Sequence, residues 1–188
     1  MNEGMRSLGK RVGRASHVLV LMRHAKAEPV EDAPEGRDIE RALVDKGRRQ
    51  ASRVADGLER LGLVPDRIVC SGAVRARQTL DGMLPTFGDG PVVDYRRSLY
   101  DGGFQDMLDE IARTPRGTRT LMVLSHEPTV SMAAQRLSGG DSDPHCLDLV
   151  GLGMPTATVA VLVADAELAD WTPGSASLIG VLRPKDMR

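Results

Sequence analysis

Three short stretches of this sequence place cations and imidazoles where an anion could be held and attacked. Arg23-His24 follows at once on the apolar run Val18-Leu19-Val20-Leu21-Met22. Ser71, Arg75 and Arg77 follow Arg67-Ile68-Val69-Cys70, and Ser125-His126 follows Thr120-Leu121-Met122-Val123-Leu124. Guanidinium groups with two imidazoles give concentrated positive charge and planar, bidentate donors, which suit a phosphoryl group. A neutral imidazole in such a pocket can attack phosphorus in line and hold the phosphoryl group covalently. Phosphoryl transfer then asks mainly for positioning and for positive charge on the equatorial oxygens, which Arg23, Arg75 and His126 can supply. The sequence has no G-x-x-x-x-G-K-[ST] loop, so a P-loop nucleotide enzyme is excluded. It has no histidine and carboxylate cluster with metal-ligand spacing either; His145-Cys146 stands alone. The chemistry expected is therefore phosphoryl transfer without a metal or other cofactor.

The elements that must position these groups follow from periodicity. Unbroken apolar runs such as 18–22 and 120–124 read as strands covered on both faces. Ala51, Val54, Ala55, Leu58 and Leu61 recur at helical spacing, which predicts a helix from about Asp45 to Leu61 closed by Gly62. Ala73 to about Leu84 reads as helix until Pro85 stops it. Val92-Val93 is a brief strand, Phe104 to Ala112 an amphipathic helix, and Thr129 to Leu137 a helix led by Pro128. Strands at 158–163 and 177–182 end the chain. Residues 29–38 form a polar rim, and 139–148 a flexible acidic loop. Strands alternating with helices predict an α/β fold: three layers, with a mostly parallel sheet and helices on both faces. Right-handed crossovers then bring the strands' C-terminal ends to one edge, where ligands bind. Residues 1–16 are expected to be a mobile leader, and 17–188 a single domain.

Composition narrows the partners. A formal net charge of -1 argues against nucleic acid or an acidic membrane surface, and 3% aromatic residues leave little for base stacking. Cys70 and Cys146 form no C-x-x-C pattern, and no apolar segment follows the basic N-terminus, so a reducing, cytoplasmic setting is expected. Cys70, at a strand end beside a cationic pocket, is either a buried apolar filler or a reactive thiol.

Arg23-His24-Ala25 resembles the R-H-G signature of the histidine phosphatase superfamily. Ser71-Gly72-Ala73-Val74-Arg75-Ala76-Arg77-Gln78-Thr79 resembles its S-x-x-x-R-A-x-Q-T segment, and Ser125-His126 its second-histidine motif. Arg41-Ala42-Leu43-Val44-Asp45-Lys46-Gly47-Arg48-Arg49-Gln50-Ala51 is similar to the R-P-L-T-x-x-G-x-x-Q-A of the small SixA-type phosphohistidine phosphatases. The resemblance implies a phosphoglycerate-mutase-like fold. It also implies His24 as nucleophile, Arg23 and Arg75 as phosphate clamps and His126 as charge partner in the transition state. Ser71, Lys26 and Arg41 are candidate substrate contacts; a solvated side chain is the alternative for Lys26 and Arg41. Arg77 should point away from Arg75 on a helix.

The sequence departs from the pattern in four ways. Ala25 replaces a glycine, and Ala42 and Val44 replace proline and threonine, leaving Asp45 as a substitute helix cap. The inserted segment that carries an acid in longer members is absent, and Asp101 lies in roughly the corresponding region. A site without an acid favours a good leaving group. An imidazole, with a pKa of ~6.5, departs with little help, whereas an alkoxide needs a proton donor. The expected substrate is phosphohistidine in a protein. The competing expectations are a phosphatase of small metabolites or nucleotides, and a phosphate-recognising module without turnover.

Overall fold

The computed structural model describes residues 3–187. Its centre is a six-stranded sheet. The strands are β1 (His17–Arg23), β2 (Arg67–Ser71), β3 (Val92–Arg96), β4 (Thr120–Ser125), β5 (Val159–Ala164) and β6 (Ser177–Leu182). Their order is β3-β2-β4-β1-β5-β6, and β5 runs against the direction of the other five. The expected mostly parallel, three-layer α/β fold is thus the observed one.

Alternation along β1 explains the layers, since successive side chains leave a strand on opposite faces. Val18, Val20 and Met22 pack on one side with α1 (Glu3–Arg14), α2 (Asp45–Arg60) and α3 (Val74–Asp81). Leu19 and Leu21 pack on the other with α6 (Phe104–Ala112), α7 (Thr129–Leu137) and α8 (Pro144–Gly151). All five residues are fully buried. Each such side chain stabilises the fold by about 1.5–3 kcal/mol relative to exposure. Two single-turn helices, α4 (Leu84–Phe87) and α5 (Ser98–Asp101), flank β3.

Three sequence expectations need correction. The supposed mobile leader is α1 from Glu3 to Arg14, because Met5, Leu8 and Val12 form one apolar stripe that covers the end of the sheet. Pro85 does not stop a helix; it stands in the first turn of α4, after a break at Gly82-Met83. The acidic loop gives way to α8 at Pro144, where the Asp143 carboxylate accepts the amides of His145 and Cys146 at 2.9 and 3.2 Å.

The register places the site. Arg23 stands beside Ser125 at the ends of β1 and β4, and Cys70 pairs with Leu124, which brings Ser71 to the same level. β5 runs the other way, so its start adjoins the end of β1, and the Arg23 amide donates to the Thr158 carbonyl at 3.1 Å.

Candidate active site

His24 leaves β1 with its amide donating to the Ser125 carbonyl at 3.0 Å, which fixes its backbone against β4. Its Nδ1 lies 2.8 Å from the Ala25 carbonyl oxygen. A carbonyl only accepts, so Nδ1 carries the proton and Nε2 keeps its lone pair. Arg75 Nε donates to that Nε2 at 3.1 Å. The His24 and His126 rings are 5.1 Å apart, and His126 Nε2 lies 2.7 Å from Ser71 Oγ. Arg23 Nη1 donates to the Met154 carbonyl at 2.8 Å. Arg23 Nε and His126 Nδ1 are buried without a hydrogen-bond partner among the described residues. A buried polar atom left without a partner is costly; an anion can satisfy Arg23 Nε, and His126 Nδ1 in the tautomer whose Nε2 accepts from Ser71.

Electrostatics keep both imidazoles neutral. Burial, then His126, Arg75 and Arg23, press His24 down to about 3, against the opposing hydrogen bond to Ala25. Burial and the Arg75 charge press His126 down to about 4. Burial also lowers Arg23, which Glu127 partly offsets. A neutral, oriented imidazole among guanidinium groups is a nucleophile for an electrophilic anion.

Comparison with known proteins agrees with this geometry. Residues 19–99 match the model of the histidine phosphatase superfamily (branch 1). An uncharacterised protein of Mycobacterium tuberculosis is 36% identical over 167 residues, which cover 87% of this chain and all of that protein. SixA, a candidate phosphohistidine phosphatase from Nakamurella multipartitia, superposes with a TM-score of 0.76 at 34% identity, covering 89% of this chain and 96% of its own. The fold is also that of the protein histidine phosphatase SixA complexed with tungstate, with a TM-score of 0.72 at 21% identity, covering 91% of this chain and 99% of its own. The chain belongs to the histidine phosphatase superfamily. Within it, the chain resembles SixA-type members over 89% of its length.

The structure of this histidine phosphatase brings His24, Arg23, Arg75, His126 and Ser71 together, as the resemblance implied. Arg41 reaches the same place indirectly, with Nη1 on the Asp38 carboxylate at 3.0 Å and Nε on the Glu28 carbonyl at 2.7 Å. Lys26 is exposed; its amide donates to Gln50 Oε1 at 2.9 Å, and its side chain makes no hydrogen bond or ion pair among the described residues. Arg77 turns away and lies over the Tyr95 ring at 4.9 Å. Asp101 is no proton donor to this site, because its exposed carboxylate binds Arg97 at 2.7 Å. Asp45 does not cap α2: Val44 is the cap residue, and Asp45 opens the first turn. Burial pushes the Cys70 thiol well up, so the thiol is an apolar filler and not a nucleophile.

Several residues in contact with the site escaped sequence reasoning. Asp38, on the rim loop, accepts from Arg75 Nη1 through its carbonyl at 2.7 Å and from Nη2 through its carboxylate at 3.0 Å. The Tyr100 hydroxyl donates to the same carboxylate at 3.1 Å, and its ring meets His126 edge-on at 5.6 Å. Burial alone would raise the Asp38 carboxyl, but Arg41, Arg75 and Tyr100 together hold it below the usual range. The site at rest thus contains its own anion. Thr79 Oγ1 accepts the Ala25 amide at 3.0 Å and donates to the Arg75 carbonyl at 2.7 Å, so the two chief catalytic candidates are tied through one hydroxyl. Gln78 Oε1 accepts the Leu43 amide at 2.7 Å in the same way. Gly47 lets α2 close on the loop: a Cβ there would stand 2.1 Å from the Lys26 carbonyl oxygen. The motif residues Gln50, Gln78, Thr79 and Gly47 therefore hold the catalytic loop's backbone; their recurrence in the motif was the only sequence signal.

Proposed function

We propose that this phosphatase hydrolyses phosphohistidine in proteins, without a metal, through a phosphoryl group carried on Nε2 of His24. The observation that carries the reading is the Nδ1 contact of His24 with the Ala25 carbonyl, which leaves Nε2 unprotonated and facing Arg75. In the first step Nε2 attacks phosphorus and the phosphorus–nitrogen bond of the substrate breaks. The substrate ring, protonated from solvent on its other nitrogen, leaves as neutral imidazole. In the second step water attacks the phosphorylated His24, that bond breaks, and phosphate and a proton leave. Arg75 turns its donors from Nε2 and Asp38 to the equatorial oxygens, and Arg23 Nε and His126 Nδ1 contribute their unused hydrogen-bonding capacity there. Ser71 orients His126.

The leaving-group argument supports phosphohistidine. Asp38 is held ionised and has no proton to give. Burial and the Asp38 charge raise the Tyr100 phenol, so it also keeps its proton. With neither Asp38 nor Tyr100 supplying a proton, the site suits a leaving imidazole with a pKa of ~6.5 far better than an alkoxide. Two buried free cysteines fit a cytoplasmic setting. No helix among the described residues is long and apolar enough to cross a membrane.

The test compares kcat/KM on a phosphohistidine-bearing protein with that on a sugar phosphate, in the presence of chelator. The protein substrate should be favoured by orders of magnitude, and His24→Ala should abolish turnover of both. A preference for the sugar phosphate would refute the reading in favour of a small-metabolite phosphatase. Phosphate binding without turnover would refute it in favour of a recognition module.

A further inference from the structure

A second cationic surface lies behind the catalytic loop. Lys46, Arg49 and Arg53 recur along the exposed face of α2, and Arg183 and Lys185 follow β6. These five residues line an open cleft of about 430 Å³ that has no carboxylate in its wall. Arg183 is neutralised by Asp186 at 3.1 Å. Lys46, Arg49, Arg53 and Lys185 make no hydrogen bond or ion pair through their side chains among the described residues. Like charges held together without counter-ions cost free energy, and an anionic partner offsets that cost.

Two details point to a ligand. Thr158 lines the cleft at 1% exposure, and its Oγ1 is buried with no partner among the described residues. The Thr158 carbonyl also accepts the Arg23 amide, so the cleft and the reaction centre share this residue. Beyond Pro155 and Thr158 the cleft runs into a recess of about 190 Å³ walled by Leu149, Leu152, Met154 and Val181. Leu152 is 87% exposed, the most open large apolar side chain among the described residues. No aromatic side chain lines either hollow, so nothing offers a base a stacking face. The cations are long, flexible and spread over two elements, an arrangement that matches charge distributed along a chain better than one compact anion.

We propose that this cleft docks an acidic segment of the phosphoprotein substrate, with carboxylates on the α2 cations and an apolar side chain in the recess beside Leu152. The inference rests on the protein-substrate reading above and adds the chemistry of the surface that substrate presents.

Binding can be read without turnover in the full chain carrying His24→Ala, using a fluorescently labelled, unphosphorylated glutamate-rich peptide that contains one leucine. Anisotropy should show saturable binding that weakens about tenfold when Arg49→Ser and Arg53→Ser are added, severalfold with Leu152→Ser, and further with salt. In the otherwise unaltered chain, the Arg49→Ser/Arg53→Ser pair should leave p-nitrophenyl phosphate turnover unchanged. It should raise KM for a glutamate-flanked phosphohistidine peptide about tenfold, removing the preference over lysine flanks. Peptide binding indifferent to both sets of changes overturns the proposal. So does tight binding of inorganic tripolyphosphate without peptide binding, which would make the cleft a small-anion site. If the peptide binds as expected but phosphohistidine is not hydrolysed, the acidic docking surface stands and the substrate reading fails.

Discussion

The guanidinium of Arg75 holds the Asp38 carboxylate at 3.0 Å and the Asp38 carbonyl at 2.7 Å, so the proposed phosphate clamp is already engaged with an anion of the protein itself. A phosphoryl group must take the place of that carboxylate. Asp38→Asn, which removes the charge and keeps the shape, should therefore lower the inhibition constant for tungstate or orthovanadate by about tenfold, the scale of one charge-assisted hydrogen bond. Steady-state inhibition measures it. Unchanged or weaker inhibition would mean that Asp38 serves only to hold Arg75 in place.

Thr79 joins the catalytic loop to Arg75 through a fully buried hydroxyl. Thr79→Val keeps the volume and leaves the Ala25 amide and the Arg75 carbonyl without that partner. It should cost about 1–3 kcal/mol in urea unfolding and lower kcat more than it raises KM. Thr79→Ser should restore most of both. Loss of stability with kcat intact would show that the hydroxyl does not position the reacting groups.

Two buried neutral histidines make stability depend on pH. His24 at about 3 and His126 at about 4 lie below the ~6.5 of an unfolded imidazole. Between those limits the unfolded chain binds protons that the folded chain refuses, so stability rises with pH through that window and is level above it. As pH falls from 6.5 to 4.5, each histidine should remove about 1 kcal/mol per pH unit from the unfolding free energy. His126→Asn should remove roughly half of this slope in urea titrations run at several pH values. A variant with the wild-type slope would contradict the burial argument.

The N-terminal helix should contribute measurably to stability. Leu8 presses on β6 so closely that a Cβ at Gly180 would lie 2.9 Å from its Cδ2. Leu8→Ala should cost about 2 kcal/mol, as a large-to-small change under a helix does. Chemical unfolding checks it, and an unchanged midpoint would mean that α1 is not docked in solution.

The fold was legible wherever burial imposed a period. The runs at 18–22 and 120–124 and the stripe of α2 emerged within a residue or two of their observed bounds. What went unread had a signal too short or too mixed. Met5, Leu8 and Val12 are spaced as a helix stripe, yet glycines and arginines between them mask it. Asp143-Pro144 is a helix start hidden in a polar segment. In the site, residues at strand ends were legible because topology sends such ends to one edge. Asp38 and Tyr100 were not, since each depends on how a rim loop or a single helical turn folds back over the pocket. Asp101 was the near miss: on the one-turn α5, its neighbour Tyr100 faces the histidines while Asp101 faces solvent.

The reversed direction of β5 has a consequence for how such a protein can diversify. A strand that begins where its neighbours finish contributes an extra border segment, residues 153–158, to the reactive edge without any crossover helix depending on it. Changes in that segment fall outside the five co-directional strands. Because the Met154 carbonyl holds the Arg23 guanidinium and the Ala157 amide holds the His24 carbonyl, any such change is felt by the reacting groups themselves.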